Sequence, residues 1–115
     1  MSIERRINPR VKCLEIVELV VDGNEKLVAT CIDVSKAGLL CKSAARIELY
    51  AQVHLELSLP VHGIHVPIQC DGTVSRSVED RGMYNSAILF HVLPAESLAA
   101  LEKFIQSELN SASNR

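Results

Sequence analysis

The sequence has no tryptophan and only 3 % aromatic residues: Tyr50, Tyr84, Phe90 and Phe104. Binders of single-stranded nucleic acid stack bases on aromatic platforms, so that class is disfavoured. A surplus of basic charge is also missing. Twelve Lys and Arg stand against 14 Asp and Glu, a formal net charge of −2, where a DNA or RNA surface needs the opposite balance. No apolar run approaches the ~18 residues of a membrane-spanning helix. The start, Met1-Ser2-Ile3-Glu4-Arg5-Arg6, has no apolar segment behind its charges and is not a signal peptide. A soluble, cytoplasmic protein without membrane insertion is expected.

Chemistry-bearing patterns are equally scarce. Cys13, Cys31, Cys41 and Cys70 include no pair at metal-ligand spacing, and reduced thiols buried as small hydrophobes are expected. His62-x-x-His65 spans a glycine turn with no third ligand in view, so no metal is expected. There is no nucleophile elbow, phosphate loop or paired-carboxylate motif. Catalytic residues are therefore not assigned, and the chain is not read as an enzyme.

What is present suits one domain: 115 residues, 48 % of them hydrophobic. Residues 1–10 have no periodicity and read as a flexible arm. Val11–Val21 reads as a strand, Asp22-Gly23-Asn24 as a turn, and Lys26–Ser35 as the returning strand of a hairpin. Leu39-Leu40-Cys41 begins a third strand. Val53–Leu59 alternates cleanly between apolar and polar, with Pro60 expected to end it and His62-Gly63 to turn the chain. Val66–Cys70 continues past Gly72, where a bulge or bend is expected, into Val74. Glu79–Gly82 reads as a loop and Met83–Leu93 as a last strand. After Pro94 the period changes: Leu98, Leu101, Ile105 and Leu109 form one apolar stripe of a helix over about 94–110, with 111–115 as a fraying tail. Short strands at this spacing plus one helix indicate a mainly all-β fold, a six-stranded antiparallel β-barrel with a C-terminal α-helix.

Two motifs could carry function. Arg6-Ile7-Asn8-Pro9-Arg10 holds two guanidinium groups on an arm stiffened by Pro9, with Arg5 just before it. Forked guanidinium donors match phosphate oxygens and the O6/N7 edge of guanine. Asp33-Val34-Ser35-Lys36-Ala37-Gly38 follows the second strand. Residues two apart share a strand face, so Asp33 and Ser35 are expected side by side, the carboxylate accepting from a guanine donor edge and the hydroxyl binding phosphate or fixing the carboxylate. Gly38 permits close backbone approach or a left-handed turn. Taken singly, the arginines read first as a solvated basic tail and the second motif as an ordinary Asp/Ser turn.

Together, in this order, they resemble the signature of the PilZ domain family, bacterial receptors for cyclic di-GMP: R-x-x-x-R, then [DN]-x-S-x-x-G after the first hairpin. The resemblance extends from Glu4 to about Leu109. It includes Gly72-Thr73-Val74-Ser75-Arg76, similar to the family's G-x-V-x-[WR] pattern, which would put Arg76 on the ligand surface. Asn85-Ser86 departs from it, since the family usually carries glycine there. The resemblance implies a cyclic di-GMP site made by Arg5, Arg6, Arg10, Asp33, Ser35, Gly38 and Arg76. Arg5 before the first motif implies an intercalated ligand dimer. It also implies an arm that orders on binding and a signal relayed to a downstream protein, with no cofactor beyond the ligand. The alternative is a PilZ-fold interaction adaptor that binds no nucleotide. Any effect is expected to pass through another protein or through self-association.

Overall fold

Antiparallel pairing alone carries the sheet round on itself. The computed structural model describes residues 8–113, with side chains to residue 111. Its strands are β1 (Val11–Lys12), β2 (Ile16–Val21), β3 (Glu25–Val34), β4 (Gly38–Ser43), β5 (Gln52–Val61), β6 (Ile64–Asp80) and β7 (Met83–Phe90), followed by helix α1 (Ala95–Ser113). β3, β2, β5, β6, β7 and β4 are successive neighbours, and a β3–β4 pairing closes the ring. β1 lies against β3 as an offset continuation of β2. The fold is the expected six-stranded barrel with a C-terminal helix.

Several boundaries differ from the sequence reading, each for a local reason. Val11–Val21 is not one strand. Lys12 pairs with Asp33 and Ile16 with Thr30, so three residues on one side face two on the other, and this bulge separates β1 from β2. Pro60 does not end β5; it stays in the ladder opposite His65. Val61 and Ile64 close the two-residue turn as the bonded pair, which leaves Pro60 at a position where no ladder N–H is needed. The Glu79–Gly82 loop shrinks to Arg81-Gly82, a tight turn with both residues at positive φ (56° and 83°). β7 ends at Phe90 rather than Leu93, where the His91 N–H turns to the carbonyl of Asp71.

Gly72 is not a bulge. It pairs regularly with Val53 and with Phe90, and the extra residue of β6 is Ser75, between the Val74–Ile88 and Arg76–Ala87 pairs. Gly72 is required by crowding instead, because a Cβ there would lie 2.6 Å from the carbonyl oxygen of Leu89. α1 runs to Ser113, past the expected end near 110, as no Gly or Pro interrupts Asn110–Ser113.

Inward alternation builds one core from Leu19, Leu55, Leu59, Ile68, Val74 and Ile88, all fully buried. α1 covers the β5–β6 side of the barrel and reaches β1. Of its expected stripe, Leu101 and Ile105 are buried while Leu98 and Leu109 are half-buried, and Ala100 and Phe104 complete the contact. The Ser97 hydroxyl accepts the Gln69 N–H at 3.0 Å, tying the helix start to β6 where β7 no longer pairs. All four cysteines are free and buried. Among the described residues, no helix is long and apolar enough to cross a membrane.

Candidate functional site

Asp33 reaches the outer surface because β3 carries an extra residue. Cys31 pairs with Cys41 but Asp33 pairs with Leu40, leaving Ile32 unmatched. Alternation from an inward Cys31 would otherwise turn Asp33 inward. With Ile32 inserted, Cys31 and Val34 both point into the core and Asp33 points out, 26 % exposed at its side chain. The Cys31 thiol lies 3.4 Å from the Asp33 carbonyl and donates to it, holding the irregular backbone. The Cys31 thiol also pairs with Cys13, and this contact together with burial pushes the Cys31 pKa up; the same contact lowers that of Cys13.

Arg10 approaches from the arm. Its Nη1 lies 3.5 Å from Asp33 Oδ1, so the last arginine of the first motif meets the acid of the second. Arg5 and Arg6 lie outside the described residues.

Ser35 does not stand beside Asp33 as the alternation suggested. β3 ends at Val34, and Ser35 is the first residue of the turn into β4. It is buried; its hydroxyl accepts the Ala37 N–H at 3.1 Å and donates to the Gly38 carbonyl at 3.5 Å. Its N–H bonds the same carbonyl at 2.8 Å. Gly38 is needed for close approach rather than for a left-handed turn, because a Cβ there would run into the Ile88 carbonyl of β7. Ser35 and Gly38 thus hold the turn, and Asp33 presents the free chemistry. Lys36, at the tip, pairs with Glu102 of α1 at 3.6 Å.

Cross-strand register shows which residues share the outer face. Lys12 is opposite Asp33, Asp33 opposite Leu40, Leu40 opposite Ala87, and Ala87 opposite Arg76. One row therefore runs across β1, β3, β4, β7 and β6. Arg76 is exposed on this row, three strands from Asp33, about 14 Å along the wall. The next outward row is Ile16, Thr30, Lys42, Asn85 and Val78. Asp33 is the one acid in the two rows, beside Lys12, Lys42 and Arg76. Register alone places Lys12 and Lys42 on this face, and Lys42 had no sequence signal of its own.

The other side of the barrel has the opposite character. Glu18 faces Glu56, and Val20 faces His54, which faces Asp71. His54 Nδ1 is 2.8 Å from Asp71 Oδ1, and this hydrogen bond raises the His54 pKa above its usual value. His62 and His65 are exposed about the β5–β6 turn. Among the described residues no three His, Cys, Asp or Glu converge to hold a metal.

The PilZ domain profile matches residues 4–107. No curated protein matches the chain. Among solved structures, the Bacillus subtilis inhibitor of motility MotI/DgrA superposes with a TM-score of 0.78 at 19 % identity, covering 92 % of this chain and 52 % of that one. This chain thus spans about half the length of that relative. The PilZ domain of Escherichia coli YcgR, solved with c-di-GMP, gives 0.70 at 15 % identity and covers 96 % and 95 %. The PilZ domain of CeSA from a cellulose-synthesizing bacterium gives 0.58 at 15 % identity, covering 90 % and 97 %.

Proposed function

The chain belongs to the PilZ domain family, and on that premise we propose that it binds cyclic di-GMP and acts as a signalling module rather than an enzyme. The observation that carries the reading is the meeting of Arg10 with Asp33 on the outer wall. These are the two groups best suited to a guanine nucleotide: a forked cation for phosphate or O6/N7, and a carboxylate acceptor for the N1–H and N2 amine. The c-di-GMP named with the YcgR domain supports the same ligand class.

In this reading the ligand replaces the Arg10–Asp33 contact. That pair is long, with Arg10 largely exposed and Asp33 partly so, and exchanging it costs about 1 kcal/mol. Arg6 and Arg10 grip the phosphates, Asp33 reads the base, Ser35 and Gly38 keep the turn in shape, and Arg76 meets the far end of the ligand. Arg5 favours an intercalated ligand dimer. The arm, drawn onto the barrel, forms a new surface for a downstream protein. The test is calorimetric titration with cyclic di-GMP beside a short oligonucleotide at two salt concentrations. Saturable binding of the dinucleotide alone is expected. No heat and no melting increase at millimolar dinucleotide would leave the adaptor reading in its place.

A further inference from the structure

Asn85 carries an acceptor with nothing to accept. It lies on the outward face of β7, in register between Lys42 of β4 and Val78 of β6. Its Oδ1 is nevertheless covered from solvent and has no hydrogen-bond partner. A covered acceptor without a donor disfavours the free protein, and a native structure holds few of them. On an outward position an apolar side chain would remove the problem. Rotation of the amide to the outer face would uncover Oδ1, so the unpaired oxygen points to a donor that arrives from outside and is met by that turn.

The surroundings indicate what brings that donor. Lys42 flanks the amide, Arg76 and Lys12 lie on the adjoining row, and Asp33 is the one acid across both rows. A ligand for this face is an anion that carries N–H groups. Guanine offers N1–H and a 2-amino group side by side, whereas adenine offers only its 6-amino group. We infer that Asn85 and Lys42 form a second nucleotide contact on the barrel wall. Asn85 Oδ1 accepts from a guanine N1–H or 2-amino group, and the Lys42 ammonium pairs with the adjoining phosphate. Lys42 lies one strand and two residues from Asp33, and Asn85 two strands and two residues, about 8 and 12 Å along the wall. That is within the span of a second base of one dinucleotide or of a stacked pair. The assignment rests on the cyclic di-GMP reading above and extends it away from the two sequence motifs.

The test is titration of the full chain and of its Asn85→Ala and Lys42→Gln variants with cyclic di-GMP and cyclic di-AMP, with melting curves of each free protein. Asn85→Ala is expected to weaken cyclic di-GMP binding at least about fivefold, to narrow the preference for guanine over adenine, and to leave the melting point equal or higher. Lys42→Gln is expected to weaken both dinucleotides alike. Unchanged affinity of Asn85→Ala, with the unaltered chain binding normally, overturns this inference alone. A melting point that falls together with affinity assigns Asn85 a structural role and overturns it as well. No binding by the unaltered chain overturns both this contact and the functional reading beneath it.

Discussion

Arg10 Nη1 and Asp33 Oδ1 lie 3.5 Å apart although 23 residues separate them in the chain. The contact joins the arm to the wall at the point where both groups remain open to a ligand. Arg10 is 67 % exposed at its side chain, so its worth to the fold is small. Replacing it should therefore separate binding from stability. Arg10→Ala is expected to weaken cyclic di-GMP binding roughly 10–100-fold, the loss of one charge-assisted hydrogen bond, with a nearly unchanged melting temperature. Titration calorimetry and a melting curve on the same sample check both halves.

Asp33 and Ser35 belong to one motif but should fail differently. Asp33→Ala removes an outward acceptor and is expected to reduce affinity strongly at little cost in stability. Ser35→Ala removes a buried hydroxyl that braces the turn through Ala37 and Gly38. It is expected to cost about 1 kcal/mol of stability and to reduce affinity less than Asp33→Ala. Denaturant unfolding of both variants, paired with titration, distinguishes brace from reader.

Gly38→Ala tests the wall itself. An added methyl would collide with the Ile88 carbonyl, a backbone atom held in the β4–β7 ladder. The strands must part, at an expected cost of about 2 kcal/mol or more, seen as a lower denaturation midpoint even without ligand. A midpoint equal to that of the unaltered chain would show that the close approach is not required.

His54 gives a pH dependence with a definite sign. Its folded pKa lies above the usual 6.5, chiefly through the hydrogen bond to Asp71. A raised folded pKa means that the charged imidazole stabilises the fold fully below about pH 6.5, and that the benefit fades as pH rises through the folded value. His54 is 40 % exposed at its side chain and its partners are more so, which keeps the effect under about 1 kcal/mol. His54→Gln should therefore lose stability relative to the unaltered chain at about pH 5.5 and match it near pH 9. Chemical denaturation at the two values is the check.

Much of the fold was legible because its cues are local. Alternation from Val53 to Leu59 reports a strand wherever it sits, and the three-and-four spacing of Leu98, Leu101, Ile105 and Leu109 reports a helix. Misread boundaries arose where neighbouring strands outvoted a local cue. Pro60 breaks a strand only if its missing N–H is needed, and pairing with His65 made it unnecessary. Gly72 looked like a bend, yet the extra residue went to Ser75.

From sequence alone came the barrel with its helix and the two motifs on which the cyclic di-GMP proposal rests, since each depends on residue type and short-range spacing. Tertiary structure alone decided which side chains share a face. Ile32, inserted opposite β4, turned Asp33 outward, and the closed register set Lys12, Lys42, Asn85 and Arg76 around it. One residue more or less in a strand exchanges its inside and outside. That count is made between strands, and no stretch of chain contains it.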